Sequence, residues 1–288
     1  MINSFFRTSL LMATMAACLK AGPVLSHEDL SDRPDPGLQA GLEQIVHDLD
    51  LGAMAGEDTL AIALVDLSDA EPRVALLNGH EMIYAASLPK IAILLGAAVA
   101  LDEGSLEMDP ALEKDLHDMI RVSCNPCATR VLDRIGRQRL LDVLESPDYH
   151  FYDRQNGGGL WVGKPYGPES AYRRDPVEQI SHGATVFQAA RFYYLLHRRE
   201  LVSPEQSQMM LDTLASPEIN HKFVKGLAVY EDLEVFRKSG SWKQFHADSA
   251  LVQTADHAYI MVALVEDPGG GELLEKLAPR LHELITAD

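Results

Sequence analysis

Hydrophobic periodicity predicts an α/β chain of the α+β kind: one mainly antiparallel sheet assembled from both ends of the sequence, with a helical lobe inserted at its side. Strand-like runs stand early, at Leu60–Asp66 and Arg73–Leu77. They return after about residue 218 as Val235–Trp242, Ala247–Gln253 and Tyr259–Val265. Between these groups, residues 87 to 214 keep a helical period almost throughout. The interruption is glycine-rich: Gly157-Gly-Gly-Leu-Trp-Val-Gly-Lys-Pro-Tyr-Gly167.

Taken in order, residues 1–26 read as an export signal and 27–36, polar and proline-bearing, as a linker. Residues 37–288 form the domain, its sheet lobe being 37–86 with 215–288 and its helical lobe 87–214. Gly37–Leu51 carries Leu38, Leu42, Ile45, Val46 and Leu49 on one helical stripe. Ile91–Ala100 is apolar on nearly every face, as a buried central helix requires. Thr185-x-x-Gln188 is a capping box, and Ser203-Pro204-x-Gln206 starts the next helix. Gly271–Thr286 closes the chain as a helix with Leu273, Leu274, Leu277, Leu281 and Leu284 on one side. No internal repeat interrupts this order.

The 288 residues, 47% of them hydrophobic, suffice for a substantial core. A net charge of −18 argues against nucleic acid as a partner, because no basic stripe is left to neutralise phosphates. The cations of interest are local: Lys90, Arg237, Lys238 and Lys243. They suit a small anionic ligand such as a peptide C-terminus; equally, the acid excess serves solubility. Arg7 followed by the apolar stretch Thr8–Leu19 fits a signal peptide, with cleavage after Val24-Leu-Ser26. Met15-Ala-Ala-Cys18 offers lipid attachment through Cys18 as an alternative, although methionine is unusual at its position in that signal. No later segment reaches the roughly 18 apolar residues of a membrane span. The expected location is therefore periplasmic or secreted.

Three short motifs carry chemistry: Ser87-Leu88-Pro89-Lys90, Ser123-Cys124-Asn125 and Lys238-Ser239-Gly240. A serine hydroxyl is a poor nucleophile until a neighbour removes its proton. Three residues is just under one helical turn, so Ser87 and Lys90 share a face. An amine among apolar residues and beside a second cation deprotonates more readily than in water, which makes Lys90 a base. Ser123 would relay the proton to the leaving group, and Asn125 would orient Lys90 and a substrate amide. Lys238 and Ser239 would hold a substrate carboxylate, Gly240 would let the strand approach, and the amides of Ser87 and Ser241 would face an oxyanion. A capping serine with a snorkelling lysine explains Ser87 or Lys90 singly, but not the ordered trio.

In these motifs the chain resembles the penicillin-recognising serine enzymes, most closely the class A β-lactamase-like group, whose signatures are S-x-x-K, S-[DG]-N and K-[ST]-G. Arg130–Gly136 resembles that group's helix ending in Ile-Gly. Ala184–Ala190 with Leu195-Leu196 resembles its "T-T-x-x-x-M-A" helix, and the similarity spans roughly residues 40 to 285. The resemblance implies the β-lactamase/transpeptidase-like fold and an acyl-enzyme on Ser87, formed with a β-lactam, a D-alanyl-type peptide or a related amide carrying a carboxylate. No cofactor is expected, and no metal, since Cys124 and Cys127 alone do not complete a tetrahedral site and no nearby His pair has ligand spacing. The departures are Cys124 in the second motif, the short 36-residue spacing from Ser87 to Ser123 (123 − 87), and the absence of the group's Glu-x-x-Leu-Asn before Thr185. With Glu169 as the nearest later acid, fast acylation and slow deacylation are expected.

Other features leave alternatives open. Cys124-x-x-Cys127 reads as a structural disulfide or paired thiols beside the site, with thiol–disulfide exchange as the rival. Asn125-Pro126 reads as a helix N-cap and first helical residue. Trp161, Lys164 and Tyr166 either line the cleft on a mobile loop or belong to a packed hairpin. His246 and Asp248 offer Ser87 a competing triad, although Ser87 already has Lys90. A catalytically quiet module that binds penicillin or peptidoglycan is the remaining alternative to an enzyme.

Overall fold

The computed structural model describes residues 30–287. The expected signal and Cys18 lie outside the described residues. Asp35 accepts from Leu38 N at 2.8 Å and Pro36 sits in the first turn, which starts helix α1 (Pro36–Asp48). With Leu30 buried in the core and Asp35 N donating to Val74 O at 2.7 Å, the described part of the expected linker is held against the domain at both points. The short α2 (Gly52–Gly56) leads into β1 (Leu60–Asp66) and β2 (Arg73–Leu77), and β3 (Ile83–Tyr84) precedes the helical region.

That region contains α3 (Lys90–Asp102), α4 (Pro110–Arg121), α5 (Asn125–Ile135) and α6 (Arg137–Glu145). Four short strands follow: β4 (Tyr152–Asp153), β5 (Gly158–Gly159), β6 (Trp161–Val162) and β7 (His182–Ala184). Then come α7 (Val186–His197), α8 (Pro204–Leu214) and the short α9 (Phe223–Leu227). The chain closes with β8 (Glu234–Trp242), β9 (Phe245–Gln253), β10 (Ala258–Glu266) and α10 (Gly270–Thr286). No described helix is long and apolar enough to cross a membrane.

The main sheet runs β2-β1-β10-β9-β8 and is antiparallel throughout, so both ends of the chain meet in it as expected. β1 is buried on both faces. Ala61, Ala63 and Val65 face the core beneath α3 and α7, while Leu60, Ile62 and Leu64 face the one beneath α1 and α10. Each fully buried leucine or isoleucine contributes about 1.5–3 kcal/mol by leaving water. The long helix α3 is inaccessible along Ile91–Ala100, and Lys90 at its start is equally buried. Thr185 and Ser203 cap α7 and α8, accepting from Gln188 N at 3.2 Å and Gln206 N at 3.3 Å.

The glycine-rich stretch is packed. Gly157, Gly158 and Gly159 all have positive φ and turn β4 back on β5. Trp161 is fully buried against Tyr152, so it does not line the cleft. Beyond it, the carboxylate of buried Asp175 accepts from Val177 N, Glu178 N and Ile180 N at 2.9, 2.9 and 2.7 Å. The turn so formed is tied to the body by the Tyr152 hydroxyl, which donates to Asp175 Oδ1 at 3.2 Å, and by Trp161 Nε1, which donates to Arg173 O at 3.1 Å, and this favours the packed reading over the mobile one.

Candidate active site

Ser87 lies in the turn between β3 and α3, one residue after Ala86 at φ 52°. The helix begins only at Lys90, with Pro89 at the cap, so Ser87 stands before α3 rather than on its first turn. Lys90 Nζ points to the second motif, donating to Ser123 O at 2.6 Å, Asn125 Oδ1 at 2.8 Å and Ser123 Oγ at 3.3 Å. No hydrogen bond among the described residues joins it to Ser87 Oγ. Two carbonyl oxygens are stronger acceptors than a hydroxyl, and they hold the ammonium on their side.

The second motif is a left-handed kink between helices. Ser123 has φ 57°, and Cys124, not Asn125, is the N-cap of α5, its sulfur accepting from Cys127 N at 3.1 Å. Cys124 and Cys127 form a disulfide. Asn125 thereby becomes the first helical residue, and its side chain is free to face Lys90 rather than cap.

From the sheet, β8 brings Lys238, whose Nζ donates to Ser123 Oγ at 3.0 Å and Ser239 O at 2.6 Å. Gly240 lies against the nucleophile turn: a Cβ there would stand 2.2 Å from Ala85 O and 2.6 Å from Ser87 N. Only glycine permits that approach. Ser239 is buried and Ser241 exposed at the mouth.

Lys222 joins the cluster without any signal in the sequence, from an irregular segment at φ 52°. Its Nζ donates to Gly240 O, to Ser241 Oγ at 2.8 Å and to Ala247 O at 3.0 Å. Arg237 and Asp248 form a fully buried two-armed pair, both contacts 2.7 Å. Asp248 is thereby engaged by Arg237 while His246 Nδ1 faces Ser241 Oγ at 3.4 Å, so the competing triad does not assemble on Ser87.

Burial dominates the electrostatics. It lowers Lys90 to about 7 and Lys222 to about 8. Lys238 is pushed well below its ordinary value by burial and then by the charge of Lys90. The loop after Trp161 presents Tyr166 to this cluster, its ring centroid 4.6 Å from Lys90 Nζ and its hydroxyl donating to Ala86 O at 3.2 Å. Burial raises the Tyr166 phenol well above its usual range, so it stays protonated. Glu169 turns outward to Arg137 at 3.0 Å.

The geometry matches known proteins at the level of fold. The chain is similar to a beta-lactamase from Sphaerobacter thermophilus DSM 20745, at 17% identity over 84% of this chain and 98% of that one, TM-score 0.65. It is similar to a class A beta-lactamase representative from Bacteroides cellulosilyticus DSM 14838, at 13% identity over 89% and 100%, TM-score 0.66. It is also similar to a PBP-A variant described as an acyl-enzyme complex with penicillin-G, at 20% identity over 87% and 96%, TM-score 0.64. No curated relative matches the chain. The model of the family described as "Beta-lactamase enzyme family" matches residues 110–285. That match covers 176 of 288 residues (285 − 110 + 1) and takes in the second and third motifs with β8, β9 and β10 of the main sheet. On that match, the chain belongs to the beta-lactamase enzyme family.

Proposed function

We propose that the chain is an exported serine acyl-hydrolase, delivered to the periplasm or medium by residues 1–26, that opens a β-lactam or related amide through an acyl-enzyme on Ser87. The observation that carries this reading is the convergence of Lys90, Asn125 and Lys238 around Ser123, next to the turn that holds Ser87. The cleft then lies between a sheet lobe (37–86 and 215–288) and a helical lobe (87–214).

A neutral Lys90 has two N–H bonds and one lone pair. Ser123 O and Asn125 Oδ1 accept the hydrogens, which leaves the lone pair for a hydroxyl proton. Ser87 Oγ attacks the carbonyl carbon, and its proton passes to Lys90. As the C–N bond breaks, Lys90 returns a proton through Ser123 to the leaving nitrogen. The amides of Ser87 and Ser241 face the oxyanion. Lys238 and Ser239 hold the carboxylate, whose charge offsets the local excess of cations.

A second reading, a D-alanyl-D-alanine-type peptidase or slow penicillin-binding module, is favoured by one feature. The acid in the loop, Glu169, is held away by Arg137, and Tyr166 occupies the space beside Lys90. Incubation with a penicillin tests the shared first step. Intact mass should rise by one acyl adduct, mapped to Ser87 and absent in Ser87→Ala; no adduct, or labelling that persists in the variant, would refute the acyl-enzyme.

A further inference from the structure

A cleft of about 970 Å³ opens beside Asn125 and Tyr166, between the loop after Trp161 and the β8–β9 hairpin. Its rim carries Lys164, Arg174 and Lys243, and none of them is in an ion pair among the described residues. In this acidic chain, Arg130, Arg134, Arg137, Arg139, Arg198 and Arg280 each engage a carboxylate. The acid that shares the cleft, Glu169, is taken by Arg137, and Gln244 turns its amide to Glu266 at 3.4 Å. The backbone of Lys164 is fixed at the base, where its carbonyl meets His182 Nε2 at 2.9 Å, and Arg174 donates to Gln179 O at 2.8 Å.

The same cleft has an aromatic wall. Trp242 is 58% exposed at its edge, and Tyr84 meets Phe245 edge-to-face at 5.1 Å. An exposed tryptophan beside unpaired cations suits a group with an apolar body and an anionic end. Lys238 is not part of this rim: it is buried, with its Nζ on Ser123 Oγ and Ser239 O.

We propose that this cleft selects amides whose acyl side chain bears a second carboxylate, as an acidic peptide does, in addition to the carboxylate held by Lys238. The proposal rests on acylation of Ser87, and its test separates the two. Two penicillins are compared, one with a phenylacetyl side chain and one with a carboxylate added on its benzylic carbon. The charged compound should acylate Ser87 roughly tenfold faster, since the half-buried Lys164 and the exposed Arg174 and Lys243 each contribute a few-fold at most. The advantage should fall below about twofold in the triple variant Lys164→Gln, Arg174→Gln, Lys243→Gln, and shrink in about 0.5 M salt. Equal rates in the unaltered protein, or an advantage that survives the triple variant, would overturn the proposal. Noncovalent titration with phenylmalonate against phenylacetate, followed by Trp242 fluorescence, reads the cleft without acylation. Tighter phenylmalonate supports the proposal and equal binding overturns it, whether or not either penicillin labels Ser87.

Discussion

Lys90 and Lys238 meet on one oxygen atom: Ser123 Oγ receives hydrogen bonds from Lys90 Nζ at 3.3 Å and from Lys238 Nζ at 3.0 Å. Two buried ammonium groups that share a neutral acceptor repel each other, and among the described residues neither has a carboxylate in hydrogen-bonding contact. Proton loss relieves the repulsion. The site is therefore prepared to contain at least one neutral amine near pH 7, and a substrate carboxylate would restore the missing charge balance.

Acylation should follow the neutral fraction of Lys90. With the amine at about 7, the rate should climb about tenfold per pH unit below that point and level off above it. Lys90→Ala should lower it at least about 100-fold. Stopped-flow acylation between about pH 5 and pH 9 measures the profile. A rate indifferent to pH in that window would remove Lys90 as the base.

Lys222 is expected to act as a positioning residue through Gly240 and Ser241. Lys222→Met leaves the buried carbonyls of Gly240 and Ala247 without their donor, at about 1–3 kcal/mol each. The strand end should then shift, and the maximal acylation rate should fall about tenfold or more with little change in apparent affinity. A purely structural lysine would lower the melting temperature and leave that ratio alone.

The disulfide should matter to chemistry more than its small loop suggests. It ties the N-cap Cys124 to Cys127 across the first turn of α5, and Cys124 stands between Ser123 and Asn125, both of which hold Lys90. The Cys124→Ser/Cys127→Ser variant should lose about 2 kcal/mol of stability. Its acylation should slow several-fold even well below the melting transition, as should that of the native protein under reductant. Unchanged acylation after confirmed reduction would leave the bond a local staple only.

Turnover should show a burst of one equivalent of product followed by a weak steady rate. Glu169→Gln should lower that rate only slightly, because Glu169 is exposed and paired with Arg137. A high turnover with no burst that collapses in Glu169→Gln would make this loop glutamate the deacylation base.

The fold was legible where side chains repeat with a clear period. β1 and β2 coincide with the runs Leu60–Asp66 and Arg73–Leu77: β1 is buried along its whole length and so reads as a nearly continuous apolar run, while the edge strand β2 buries Val74 and Ala75 and half-buries Leu76 and Leu77. β3 to β7 escaped notice because two or three residues have no period to read. Within the site, the motifs foretold that Lys90, Ser123, Asn125 and Lys238 would converge. They did not foretell that Lys90 would reach Ser123 instead of Ser87, because that depends on where α3 starts. Lys222 was invisible, since its partners are two main-chain oxygens and a serine hydroxyl 18 to 25 residues away, which leave no local pattern. Asp175 was missed for the same reason: its carboxylate binds backbone amides and the Tyr152 hydroxyl, which leave no pattern in the sequence.

The contact between Gly240 and the turn at Ser87 makes the distance between the two halves of the site a main-chain dimension. It is gauged by peptide against peptide, not by interlocking side chains that change rotamer or drift under substitution. The helical layer can therefore be repacked by many substitutions without altering the aperture at the nucleophile. A single methyl group at position 240 would wedge strand and turn apart and open that aperture directly. Tolerance of the surroundings and intolerance of one hydrogen's place are thus the same property of this interface.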